Sequence, residues 1–158
     1  MNSMNRVHLA ARAVVLVGLA GCIRYTPPQP ASPHDPAPVA ASFGKTWDAV
    51  IDVFGDRTIP IRNMERASGF IATDALPAGP NDRDYADCGS REKVVYAPSR
   101  VTYNVVVRGD SSQSTVKMTA RWTFLMTANE LIYCESRGIF EREFERRIRD
   151  RAERRSPK

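Results

Sequence analysis

Histidine is scarce in this chain of 158 residues, which holds only His8 and His34. Both precede the region whose pattern predicts a folded domain, so that domain lacks the residue most often used as a general base. The chain also contains no G-x-S-x-G motif, no Walker-type phosphate loop, no H-E-x-x-H motif and no paired C-x-x-C. Acids that crowd one polar segment offer a glycosidase-like carboxylate pair, although acids in such segments are usually only solvated: Asp74, Asp82, Asp84 and Asp87. We therefore expect no catalytic residue, no cofactor and no bound metal.

Acidic residues are missing from the first 21 positions, which carry Arg6 and Arg12 followed by the apolar run Ala13–Ala20. A basic start before an apolar run too short to span a bilayer is typical of an export signal. The tetrapeptide Leu19-Ala20-Gly21-Cys22 resembles the lipobox of bacterial lipoproteins, in which the cysteine is acylated and the leader is removed before it. We expect residues 1–21 to be a lipoprotein signal peptide and Cys22 to be the lipidated residue. An ordinary secretory signal with a chance cysteine is the alternative.

The lipobox resemblance also indicates a location. Two or three acyl chains anchor a protein stably, whereas one holds it only marginally. Residue 23 is Ile23 rather than the aspartate that tends to retain Gram-negative lipoproteins in the inner membrane, so we expect the outer membrane, facing the periplasm. The formal net charge is only +5, and the leader supplies two of those charges, which is a weak argument for a nucleic-acid partner.

Proline is concentrated near the start of the mature chain, where six of the eleven prolines lie between Thr26 and Ser42. Proline removes amide donors and favours an extended backbone, so this stretch predicts a semi-rigid spacer of roughly 50 Å at about 3.1 Å per residue. We assign residues 22–42 to the lipidated cysteine and linker, and residues 43–158 to a single domain. His34 falls in the linker, where we expect it to be solvated.

Apolar residues recur at helical spacing at both ends of the domain. The first stripe predicts a helix that Ser42 can cap: Phe43, Trp47, Val50, Ile51 and Phe54. The second predicts a long C-terminal helix from Ser136 onward: Phe140, Phe144, Ile148 and Ala152. Opposite charges four residues apart, such as Glu143 with Arg147 and Glu145 with Arg149, predict a solvated, ion-paired outer face on this second helix. A basic surface for phospholipid headgroups, peptidoglycan or an acidic partner is the alternative.

Between the helices, the pattern changes to alternation with period two. It is clearest over residues 101–107 and 116–126, and the intervening Gly109-Asp110-Ser111-Ser112 supplies turn chemistry for an antiparallel hairpin. Ile59–Met64 and Gly69–Thr73 predict two shorter strands. We therefore expect an α+β fold, with an antiparallel β-sheet packed on one face by an N-terminal and a long C-terminal helix.

Two cysteines remain once Cys22 is assigned to lipid. Cys88 and Cys134 form an even pair in an oxidising compartment, which predicts a disulfide worth on the order of 4 kcal/mol in the chain-entropy model. A metal site is the sharper alternative, but two thiols without a histidine in the domain make a poor zinc shell.

Two short motifs and the order of elements resemble a known family. Trp47-Asp48-Ala49-Val50 lies on the first helix, and Gly69-Phe70-Ile71-Ala72-Thr73-Asp74 lies on a strand before the long hairpin. This arrangement resembles the helix-grip domains of the C subunit of the outer-membrane β-barrel assembly complex. The resemblance implies a helix-grip-like lipoprotein of the outer membrane that binds another envelope protein and has no catalysis of its own.

The segment of residues 77–92 is the longest aperiodic stretch of the domain, and we expect it to be a surface loop that binds the partner. Tyr85 is its one large aromatic residue, and with Arg83 it belongs to the residue types enriched at binding hot spots. The C-terminal helix is the alternative binding surface. A different class of function, the binding of a small apolar ligand or lipid between the C-terminal helix and the sheet, also remains open.

Overall fold

The computed structural model describes residues 25–29, 32–79, 81–91, 94–127 and 130–154. Residues 1–21 and Cys22 lie outside the described residues, so the signal peptide and the lipidation remain predictions. The helices are α1 (Phe43–Asp56) and α2 (Ile139–Arg154). The strands are β1 (Tyr25–Thr26), β2 (Ala37–Val39), β3 (Ile61–Glu65), β4 (Phe70–Thr73), β5 (Leu76–Pro77), β6 (Ala86–Asp87), β7 (Ser90–Arg91), β8 (Val94–Val95), β9 (Arg100–Gly109), β10 (Ser114–Thr127) and β11 (Glu130–Ser136).

Helix α1 follows its apolar stripe. The Lys45 N–H donates to Ser42 Oγ at 3.4 Å, which is the cap that the sequence predicts. Trp47, Val50 and Phe54 are buried. No helix among the described residues is long and apolar enough to cross a bilayer.

The long hairpin of β9 and β10 is confirmed, with Ser114 opposite Gly109 and Thr123 opposite Arg100. Its turn is held by Asp110, whose side chain accepts the backbone N–H groups of Ser112 and Gln113 at 2.7 and 3.0 Å. These bonds and the Ser112 hydroxyl lower the pKa of Asp110 to about 2.

The main sheet is antiparallel and has eight strands. Six follow the order β3-β4-β9-β10-β11-β6, while β2 pairs with β10 and β5 with β9. Both helices pack on this sheet, and the ring centroids of Phe54 on α1 and Phe144 on α2 are 5.3 Å apart in an edge contact. The predicted α+β class is confirmed. The sequence pattern did not predict β11, which pairs with β10 from Trp122 to Thr127. A second sheet of three short strands has the order β1-β7-β8.

The predicted disulfide is confirmed. Sγ of Cys88 lies 1.99 Å from Sγ of Cys134, and the bond links positions 46 residues apart in the chain. It joins the segment of residues 77–92 to β11, and both cysteines are buried. The disulfide therefore attaches that segment covalently to the core.

The last part of the proline-rich linker lies on the domain. Ala37–Val39 pairs with β10 as strand β2, and Val39 is buried in the core. Sheet pairing thus begins before Phe43, the first residue of the predicted domain. The prediction that His34 is solvated is wrong, because its Nε2 lies 2.9 Å from Oε1 of Glu145 and only 22% of the side chain is exposed.

Candidate functional site

One edge of β10 is interrupted. On its β9 side the strand is paired from Ser114 to Thr123. On the opposite side, β2 pairs with it as far as Val116, and β11 begins to pair at Trp122. Within the described residues, the intervening stretch Lys117–Arg121 therefore has a strand neighbour on one side only. It spans roughly 17 Å at about 3.4 Å per residue.

Neither neighbouring strand continues along this edge. The pairing of β2 with β10 ends where Ala37 lies opposite Val116. After Cys134, strand β11 turns to β6, with Glu135 opposite Asp87 and Ser136 opposite Ala86. A gap therefore opens between two strands that are both antiparallel to β10.

Two glutamates of α2 occupy the place of the missing strand. The Met118 N–H donates to Oε1 of Glu145 at 2.7 Å, and the Ala120 N–H donates to Oε1 of Glu141 at 3.3 Å. The glutamates lie one helical turn apart and are only 2% and 3% exposed, respectively. Buried backbone N–H groups need acceptors, and an ionised carboxylate is a stronger acceptor than a neutral group such as a backbone carbonyl.

Each glutamate has a second contact at this edge. Oε1 of Glu145 also meets Nε2 of His34, and Oε1 of Glu141 also accepts the Ser136 hydroxyl at 2.5 Å. Oε2 of Glu141 is buried and makes no hydrogen bond to the described residues. A buried acceptor left unpaired costs about 1–3 kcal/mol, so the Glu141 carboxylate is incompletely satisfied in this arrangement.

The interrupted edge opens into a groove of about 380 Å³. We call it the edge groove and define it by Lys117–Arg121, Glu141 and His34. The linker residues Ser32 and Pro33 form part of its wall. The groove thus combines an open strand edge, the buried Glu141 carboxylate and a segment of the chain's own linker, while Glu145 contacts two of its residues, Met118 and His34.

In the segment of residues 77–92, predicted as a surface loop, Arg83 and Asp84 are exposed but Ala86 and Cys88 are buried in the core. It carries a 3-10 turn over Asp82–Asp84 and the short strand β6. The Tyr85 ring is half-buried, with its centroid 6.3 Å from Trp122 and 5.3 Å from Phe140. Tyr85 is therefore a packing residue, whereas Arg83 is exposed on the turn.

Asp82 and Tyr103 both have raised pKa values, and the charge of Asp82 contributes to the shift at Tyr103. Burial raises the pKa of Asp82, although the Gly79 N–H that donates to its carboxylate at 2.5 Å lowers it. Burial, with the nearby Asp82 charge as a smaller cause, raises the pKa of Tyr103 above its ordinary value. The raised pKa values oppose ionisation of both groups, and Tyr103 is neutral at physiological pH.

The layer between α2 and the sheet is occupied by the protein's own side chains. Trp122 and Met118 of β10 and Phe144 and Ile148 of α2 belong to one core cluster, and all four are fully buried. A small apolar ligand placed there would have to displace core residues.

The outer face of α2 differs from the prediction at one position. The Glu143–Arg147 ion pair is present at 2.7 Å, but Glu145 points to the sheet edge instead of pairing on the surface with Arg149. Sequence analysis missed the roles of Glu141 and Glu145. The only signal was their position, directly after Phe140 and Phe144 of the apolar stripe.

Among the described residues, no group of three or more histidine, cysteine, aspartate or glutamate side chains is arranged to hold a metal ion. No protein-family model matches the chain, and no curated protein matches it either. Fold and site together define its class: an antiparallel α+β domain with one disulfide and an interrupted sheet edge.

Proposed function

We propose that this chain is a lipid-anchored, non-catalytic protein-binding module of the bacterial cell envelope. It faces the periplasm from the outer membrane, to which acylated Cys22 attaches it. It binds an extended segment of a partner protein in the edge groove. The observation that carries the proposal is the stretch Lys117–Arg121, whose free edge is covered by side chains instead of a strand.

Strand addition is a recurrent way to bind a peptide, because main-chain hydrogen bonds supply affinity and alternate side chains supply specificity. In the edge groove, carbonyl groups of the incoming segment would accept the N–H groups of Met118 and Ala120 in place of the glutamates. Since β2 and β11 are both antiparallel to β10, a segment in the same direction continues the sheet between them.

Two features favour this exchange. The carboxylate of Glu141 leaves one buried oxygen without a hydrogen bond, and its release into the groove removes that cost. Where the described part of the linker lines the groove, it is held by the side-chain contact from His34 to Glu145 rather than by a ladder of backbone bonds. A partner strand would replace this contact, and the two bonds from Met118 and Ala120 to the glutamates, with its own ladder of backbone bonds.

Crosslinking in cells tests the proposal, with a photoreactive residue placed at Thr119 in the groove. Thr119 is exposed, and exposed Asn63 on β3, the opposite edge of the same sheet, is the matched control. We expect a discrete adduct with an envelope protein from position 119 and none from position 63. Adducts only from Arg83 would move the site to the segment of residues 77–92, and adducts only from exposed Arg146 would move it to α2.

A further inference from the structure

The chain returns to the domain soon after the predicted lipid anchor. Tyr25 and Thr26 form β1 and pair with Arg91 and Ser90 of β7. The Gln29 N–H then donates to Oδ2 of Asp87 at 3.0 Å, which adds a second attachment. Prolines predict a long spacer at this point, but the structure places both β1 and Gln29 against the domain.

The close fit of β1 depends on Gly89. A Cβ at this position would lie 2.5 Å from the Thr26 carbonyl oxygen and 3.0 Å from the Tyr25 hydroxyl. Its φ of +76° is one that other residues rarely adopt. Gly89 follows Cys88, so the disulfide links the residue against which β1 packs directly to β11.

These connections limit how far the domain extends from the membrane. Cys22 precedes Tyr25 by three residues, which reach at most about 11 Å when fully extended. A lipid on Cys22 would therefore hold β1 close to the bilayer surface. A path from the Thr26 carbonyl oxygen leads to Gly89, then to Cys88, across the disulfide to Cys134 and on to Tyr133. With the 4.1 Å Cα separation of the disulfide, this path places Tyr133 within about 16 Å of Thr26.

An exposed apolar patch lies on this part of the sheet. Leu125 of β10 faces Leu131 of β11 across the ladder, and Tyr133 follows on the same face of β11. These side chains are 51%, 47% and 63% exposed. Exposed Arg100, Arg121 and Glu135 lie on the same outer face, since Arg100 is opposite Thr123, Arg121 is two residues before Thr123 and Glu135 is two residues after Tyr133. Aliphatic and aromatic side chains bordered by charged ones suit the polar interface of a bilayer.

We infer that the outer face of the β10–β11 hairpin, through Leu125, Leu131 and Tyr133, contacts the phospholipid bilayer that holds the anchor. This inference rests on the proposed lipidation of Cys22. It orients the domain with this hairpin face on the lipid surface and gives the protein a second, reversible membrane contact.

The test uses the full lipidated chain in vesicles of phosphatidylethanolamine and phosphatidylglycerol that contain brominated lipid. A fluorescent amino acid replaces Leu131 in one variant and Met64 in another; Met64 is a matched control because it is apolar, 51% exposed and on β3, the opposite edge. We expect quenching roughly threefold stronger at position 131, because an interfacial side chain sits about 5–10 Å into the headgroup boundary. Equal quenching at both positions would overturn the inference.

Flotation of the same vesicles distinguishes the lipid anchor at Cys22 from the contact of the hairpin with lipid. Protein that does not float with the lipid would remove the anchor and this inference together. Protein that floats but is quenched at position 131 no more than at 64 would leave the anchor in place and remove the lipid contact alone. A double variant with Leu125→Ser and Tyr133→Ser changes only exposed side chains, and we expect it to reduce the quenching at 131 without reducing flotation.

Discussion

Replacing Glu145 with Ala should destabilise the domain more than the loss of any exposed charge on α2. The variant removes the acceptor for the Met118 N–H, and Met118 is fully buried. Hydrogen bonds to charged groups contribute about 1.5–3 kcal/mol, and the adjacent groove admits water that can replace part of the bond. We therefore expect a loss of about 2 kcal/mol, or roughly 6–10 °C in Tm for a domain of this size.

Thermal and urea unfolding of the chain with Cys22 replaced by Ser would measure this loss. Glu145→Gln keeps an acceptor at the same place and should cost about half as much. Glu143→Ala is the matched control, since it removes the same side chain from the same helix but breaks only an exposed pair with Arg147, worth about 0.2–0.5 kcal/mol. If Glu145→Ala unfolds at the same temperature as Glu143→Ala, the carboxylate does not close the sheet edge and the reasoning fails.

Cys22→Ser should move the protein from the membrane fraction to the soluble periplasm, and unchanged fractionation without acyl mass on the wild-type cysteine would contradict lipidation. Reduction should add the mass of two hydrogens per chain, and replacing both Cys88 and Cys134 with Ser should cost on the order of 4 kcal/mol; two free thiols before reduction would refute the bridge. Tyr85→Ala should cost about 2 kcal/mol because its ring packs on Trp122, and an unchanged Tm would show that it is not a packing residue. Folding lowers the pKa of Asp110 from 3.8 to about 2, so its contribution is present above about pH 4 and is lost as the pH falls toward 2. Between about pH 4 and 2, the free energy of unfolding should fall less in Asp110→Asn than in the wild type, and an equal fall in both proteins would contradict this.

Local periodicity was sufficient to predict the elements that pack by one face. The apolar stripes of α1 and α2 and the alternation of β9 and β10 are regular, and most of the side chains that each period selects are buried. Cysteine pairing was predictable by elimination, because only two thiols remain in the domain after Cys22. Strand β11 was not predictable in this way: its apolar Leu131 and Tyr133 are exposed while Cys134 is buried.

The edge groove depends on contacts between residues far apart in the chain, and these have no local signature. Acids on a helix beside arginines normally predict solvated ion pairs, and nothing near Glu145 in the sequence indicates that β10 lacks a neighbour there. The linker differs from its predicted extended form for a related reason. Prolines favour an extended backbone, but a short edge strand tolerates Pro38 while Val39 enters the core.

Strand addition at the edge groove is tested most directly by amide hydrogen exchange at Met118 and Ala120, in the complex with the protein captured from position 119. These two N–H groups donate to glutamate side chains in the free domain and would donate to a continuous strand in the complex. We predict that exchange at both amides slows on binding, while exchange at Asn63 on the opposite edge strand is unchanged. Unaltered exchange at Met118 and Ala120 in a saturated complex would contradict strand addition.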